Sequence, residues 1–238
     1  MAKIIIHEAD KRGHANHGWL DAWHSFSFAS WYDPTKVNFG MLRVLNDDTV
    51  AGGTGFGKHP HDNMEIVTVV LEGALEHKDS MGNTESIHVD EVQAMSAGTG
   101  ITHSEYNHNK DEKVRLFQIW IFPEKQNVKP QYNQAYFKKE DRINKLQTIA
   151  SPITNTDAGL KINQQAWIYR TALEEGKTIT VTPHNTNNGL YLLLVEGNVT
   201  IMDKELNRRD AIGVYDTDAV EIKATNNSEV LIIEVPMH

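Results

Sequence analysis

Helical spacing is hard to find in this chain. What recurs instead is short apolar or alternating runs, and Met41–Leu45, Glu65–Leu71, Val114–Phe122, Leu190–Val195, Asn198–Met202 and Val230–Val235 all read as strands. Turn signals punctuate them at Asn46-Asp47-Asp48, Glu72-Gly73, Met81-Gly82-Asn83 and Glu196-Gly197. Many short strands with such punctuation predict an all-β chain built as a sandwich or barrel. One stretch departs from the pattern. From Pro123 to about Ala150 the chain carries Pro130, the polar segment Lys138–Arg142, then Ile143 and Leu146, which predicts a connector with a short helix. The two flanks repeat: Thr68–Leu75 and Leu192–Val199 each run a strand into a Glu-Gly turn and a strand out of it. The expectation is two β-barrel domains of one architecture, with boundaries at 1–122, a connector at 123–160 and a second barrel at 161–238.

Composition narrows the function classes. A length of 238 residues suits one large domain or two small ones. The formal charge of −9 lacks the basic footprint that direct nucleic-acid contact requires, though it leaves a basic protein partner open. There is no cysteine, which removes disulfides, thiolate-bound metals and thiol nucleophiles. The N-terminal apolar run is only Ile4-Ile5-Ile6, too short for a secretory signal, and no run approaches the length of a membrane span. These features predict a cytoplasmic protein.

Histidine changes the picture most. Of 12 in the chain, only His184 and His238 follow residue 110. His59 and His61 lie two apart, as do His103 and Glu105, each pair in a Gly-rich setting. Residues i and i+2 of a strand share a face, so each pair converges on one point. Two such pairs on facing strands place three imidazoles and one carboxylate around one ion, a donor set suited to Fe(II), Mn(II), Ni(II), Cu(II) or Zn(II). His7, His14, His17, His77, His88 and His108 read as surface or hydrogen-bonded core residues. His24, beside Trp23 and Phe26, reads as a structural residue packed near the site.

These residues sit in a frame that resembles the cupin superfamily, and its pirin branch in particular. The resemblance rests on Trp19-Leu20-Asp21, Phe26-Ser27-Phe28, Leu42–Asp48, Gly55-Phe56, His59-Pro60-His61, Asn63-Met64-Glu65, Gln93–Ile101, His103-Ser104-Glu105 and Gln118-Ile119-Trp120. It implies a bicupin whose N-terminal barrel holds one divalent metal, typically Fe(II), with Zn, Cu, Mn and Ni as alternatives. The family's ligand positions fall on His59, His61, His103 and Glu105. Cupins in general often use the first-motif carboxylate, here Glu65, whereas pirins resemble a variant that uses Glu105, which shares a strand face with His103.

The resemblance further implies cleavage of a flavonol such as quercetin by dioxygen, with Glu105 shuttling the proton and Phe56 and Met64 supplying an apolar wall. A metal- or redox-sensing regulator acting through a protein partner is the alternative. Aligning the two Glu-Gly turns puts Pro183 and Asn185 where the first half has His59 and His61. The second barrel is therefore expected to be metal-free.

Overall fold

The computed structural model describes residues 2–238. The N-terminal half runs β1 (Lys3–His7), β2 (Gly13–Asn16), β3 (Leu20–His24), β4 (Leu42–Val50), β5 (Gly55–His61), β6 (Glu65–Glu72), β7 (Ala74–Asp79), β8 (Thr84–His88), β9 (Glu91–Ser96), β10 (Ile101–Asn107) and β11 (Val114–Ile121). The remainder runs β12 (Gln131–Tyr136), β13 (Gln147–Pro152), β14 (Leu160–Ile162), β15 (Trp167–Leu173), β16 (Thr178–Val181), β17 (Asn188–Glu196), β18 (Val199–Ile201), β19 (Lys204–Leu206), β20 (Ala211–Tyr215), β21 (Val220–Ala224) and β22 (Ser228–Pro236). The helical content expected between the halves is one 3-10 turn, Lys139–Arg142, and β12, β13 and β14 flank it.

Each half is a two-sheet cupin unit. In the first, the sheet β12-β9-β6-β11-β4-β3-β2 faces the four strands β5-β10-β7-β8; in the second, β1-β20-β17-β22-β15-β13-β14 faces β16-β21-β18-β19. Alternation along the central strands explains the packing. In β17, Leu190, Leu192 and Leu194 fill the interior of the second unit, while Tyr191, Leu193 and Val195 point the other way. There they meet Val67, Val69, Phe117 and Ile119 from the back of the first unit's large sheet. The two seven-stranded sheets thus pack back to back, and strands buried on both faces read as near-continuous apolar runs. In the second unit, Leu190, Leu192, Val199, Ile222 and Ile232 belong to one closed apolar cluster.

The strands expected at Glu65–Leu71, Val114–Phe122, Leu190–Val195 and Val230–Val235 all form. The Glu-Gly turns form too, with Gly73 at φ 75° and Gly197 at φ 92°, a left-handed backbone that favours glycine. Asn46-Asp47-Asp48, in contrast, is no turn. It lies inside β4, buried throughout. Two of the three side chains have partners there: His24 Nδ1 lies 2.8 Å from Asn46 Oδ1, and Arg209 Nε lies 2.8 Å from Asp47 Oδ2, while Asp48 Oδ1 is buried without a hydrogen-bond partner among the described residues. Strand β1 is the other departure, pairing with β20 of the second unit rather than with its own half.

Candidate metal centre

The centre is built by β5 and β10, which pair antiparallel with His103 opposite His59 and Ile101 opposite His61. A bulge between His103 and Glu105 shifts the register against β5 and re-aims the side chains beyond it. On its other edge β10 pairs with β7, setting His103 opposite Asp79 and Glu105 opposite His77.

The ligand nitrogens of His59, His61 and His103 lie within 4.8 Å of one another. Ring centroids are 4.9 Å apart for His59–His61, 4.4 Å for His59–His103 and 4.8 Å for His61–His103. Glu105 belongs to a second such cluster, with His103 and His77. Its carboxylate is buried, and both oxygens accept from Gln118 Nε2, at 2.8 and 3.0 Å.

The hydrogen bonds fix the tautomers. Nδ1 of His59 donates to the Gly57 carbonyl at 2.7 Å, leaving Nε2 with its lone pair. A longer chain orients His103. The Asp79 carboxyl, held below its usual range by hydrogen bonds from Asn83, His77 and Met81 against the opposing effect of burial, accepts from His77 Nε2 at 3.1 Å. His77 Nδ1 is then an acceptor for His103 Nδ1–H at 3.3 Å. This leaves the Nε2 of His103 buried with no hydrogen-bond partner among the described residues. An unpaired buried lone pair facing two further imidazoles is what a metal would satisfy, so the donor set fits a divalent ion.

Electrostatics agree with that fit. Burial, reinforced by neighbouring histidines, pushes the His61 imidazole down to about 4 and His103 down to about 3, so both stay neutral donors at pH 7. Burial pushes Glu105 up to about 7 against the lowering effect of Gln118. Asp48 is raised well above the usual carboxylate range by burial and by Asp47 and Glu105.

His59, His61, His103 and Glu105 all line one cavity of about 210 Å³, together with Phe28, Asn46, Asp48, Phe56, Ile66, Gln118 and Trp120. Phe56 therefore stands where the wall was expected. Met64 does not, and packs instead against the cluster of Ile66, Met95, Ala97 and Ile101. Glu65 is also elsewhere: its Oε2 accepts from Ser96 Oγ at 2.7 Å and from the Asn163 backbone N–H at 3.0 Å, tying the first unit to the second. The sequence reading missed His77, Asp79, Gln118 and Asp48. His77 and Asp79 carry the same i, i+2 signal as the other pairs, whereas Gln118 stands in the motif frame at Gln118-Ile119-Trp120 with nothing in its spacing to link it to Glu105. In the second unit His184 is a loop residue stacked on Trp167 at 3.8 Å, its Nδ1 2.9 Å from Glu234 Oε2.

Among the described residues no helix is long and apolar enough to cross a membrane. Residues 6–121 match the pirin family model, and residues 148–235 match the quercetinase C-terminal cupin domain. The chain is 46% identical over 233 residues to a quercetin 2,3-dioxygenase of Escherichia coli K12, covering 98% of this chain and 99% of that protein. It is 42% identical to a pirin-like protein of Caulobacter vibrioides, covering 94% and 96%. Among solved structures it resembles the E. coli bacterial pirin YhhW in complex with nickel(II), with TM-score 0.92, 44% identity and coverage of 98% and 99%. Fold, motif frame and full-length similarity agree: the chain belongs to the pirin family of the cupin superfamily.

Proposed function

We propose that the chain is a metal-dependent dioxygenase that cleaves a flavonol such as quercetin with dioxygen. The observation that carries this is the three-imidazole cluster, with the buried Nε2 of His103 left unpaired, at the floor of an aromatic-walled cavity. Similarity to the E. coli quercetin 2,3-dioxygenase over nearly the full length supports the substrate class.

His59, His61 and His103 hold the ion, and Glu105 completes the set. Iron(II) suits these donors; nickel(II) stands beside it because the related E. coli pirin binds that metal, with zinc, copper and manganese as further candidates. When bound, such an ion supplies Lewis acidity toward a substrate hydroxyl and, where redox-active, electron transfer toward dioxygen.

The protein's own groups do the rest. Phe28, Phe56, Ile66 and Trp120 form an apolar wall that receives flat aromatic rings and displaces water. The cavity is small, so the substrate enters by its hydroxyl-bearing edge. Glu105 accepts the hydroxyl proton at its carboxylate, which Gln118 keeps in place from β11 in the facing sheet. Asp48, whose carboxyl burial pushes upward, faces the same cavity and stands where a substrate oxygen would meet it.

The test supplies purified protein with Fe(II) or Ni(II), quercetin and oxygen. Metal-dependent loss of the flavonol absorbance, with oxygen uptake and carbon monoxide release, is expected. Absence of all three with each metal would rule out the dioxygenase reading.

A further inference from the structure

Strand β4 has two working faces. Asn46 and Asp48 face the metal cavity, and between them Asp47 faces the opposite way, into a separate cleft of about 540 Å³ where the two cupin units meet. At its floor, Arg12 and Arg209 share Asp47 as their one buried carboxylate. Their side chains are only 7% and 4% exposed.

Among the described residues neither arginine makes a hydrogen bond to Asp47: Arg209 Nε lies 2.8 Å from Oδ2 as an ion pair without a hydrogen-bond partner, and Arg12 Nη1 stands 3.6 Å away. Arg12 makes one hydrogen bond among the described residues, from Nε to the Ala9 carbonyl at 3.3 Å, so its terminal nitrogens lack an acceptor. Arg12 also lies over the Trp23 ring, 5.3 Å from its centroid, which fixes the guanidinium in place. Arg209 adopts a left-handed backbone at φ 70°, costly for a non-glycine residue, and it is held there by its own N–H on Leu194 O.

The rim adds charge of the same sign from Lys113, Arg115 and Arg208. Their partners Glu72 and Glu196 lie outside the cleft lining. The carboxylates that do line it, besides Asp47, are Asp10, paired with Lys11, and Asp21, paired with His14. Five cationic side chains and three carboxylates line the cleft, in a chain whose net charge is −9, and Glu72 and Glu196 balance Lys113, Arg115 and Arg208 from outside it. Arg209 Nη2 has a second carboxylate in Glu196 Oε1 at 3.9 Å, whereas Arg12 has, among the described residues, Asp47 alone at 3.6 Å; a buried guanidinium so loosely paired favours a further counter-charge. A phosphate monoester, roughly −1.5 to −2 at pH 7, supplies that counter-charge. Planar guanidinium forks suit its oxygens.

We propose that this interdomain cleft is a binding site for a small phosphate monoester, with Arg12 and Arg209 on its floor and Arg115 on its rim. The site is distinct from the metal centre and stands or falls independently of the dioxygenase reading.

The test is calorimetric titration and thermal melting of the full-length metal-loaded protein with inorganic phosphate and with glycerol 3-phosphate, against sodium chloride of equal ionic strength. Both probes should bind once per chain and raise Tm beyond chloride, glycerol 3-phosphate at least as strongly. Arg12→Gln should weaken binding about tenfold, the loss of one charge-assisted hydrogen bond, with metal content unchanged. Arg115→Ala alters only the rim and decides the matter if Arg12→Gln fails to fold: weaker binding supports the site. No effect beyond chloride, or affinity undiminished in a folded variant, overturns it. Binding of inorganic phosphate alone, with glycerol 3-phosphate excluded, overturns the monoester assignment.

Discussion

At the residue scale, the account turns on which nitrogen of each histidine is free. Asp79 is linked by hydrogen bonds to His103 through His77, and these two bonds set one tautomer. Asp79→Asn should therefore lower metal affinity by about 10- to 100-fold, as loss of such supporting partners does. Competition against a chelator measures it, and unchanged affinity would break the relay. Gln118 is the corresponding support for Glu105. Gln118→Leu strands a buried carboxylate that had two donor contacts, and should cost about 1–3 kcal/mol in urea unfolding.

The ligand pairs themselves were legible, because period-2 spacing on a strand is a local property. His77 and Asp79 were not, since their meaning depends on β7 lying beside β10, a pairing between distant segments. Gln118 reaches Glu105 from β11, a sheet away in register, and its residue type is unremarkable.

At the element scale, the strands most visible in the sequence are those apolar on both faces, such as β6, β17 and β22. Their continuity reflects the back-to-back packing of the two large sheets. Leu193 belongs to that shared layer and is 1% exposed. Leu193→Ala should cost about 2–5 kcal/mol by the combined loss of transfer energy and the cavity left behind, read as a lowered urea midpoint at unchanged slope. A cost under about 1 kcal/mol would show that the layer is loosely packed.

The polar triplet of β4 misled for a physical reason. Asn46, Asp47 and Asp48 are turn formers by composition, yet each is buried against a specific surrounding: His24, two arginines and the metal cavity. Local propensity yields there to long-range partners. The placement of β1 was equally invisible, because its Ile4-Ile5-Ile6 run would satisfy either sheet, and only the pairing with β20 decides.

At the scale of the whole molecule, β1 makes the first unit depend on the second, and His7 marks the junction. Its Nδ1 lies 2.8 Å from Tyr191 Oη, and its ring packs edge-on to Phe26. Burial, with a smaller contribution from Lys36, pushes the imidazole from its ordinary 6.5 down to about 4. Between those values the unfolded chain binds the proton and the folded chain does not. His7 therefore contributes its stability in full above pH 6.5, and that stability falls as pH drops toward 4. The loss amounts to at most about 3 kcal/mol. Urea unfolding at pH 7 and pH 4.5 should show this decline in the wild type and a shallower one in His7→Gln.

The two units share an architecture yet differ in chemistry. Imidazoles converge in the first, while an apolar cluster fills the second. Metal content per chain, measured by elemental analysis of wild type and His103→Ala loaded and desalted identically, tests the central claim most directly. The account predicts about one ion per wild-type chain and almost none in the variant, with both folded by circular dichroism. An ion retained at full stoichiometry after loss of His103 would contradict it.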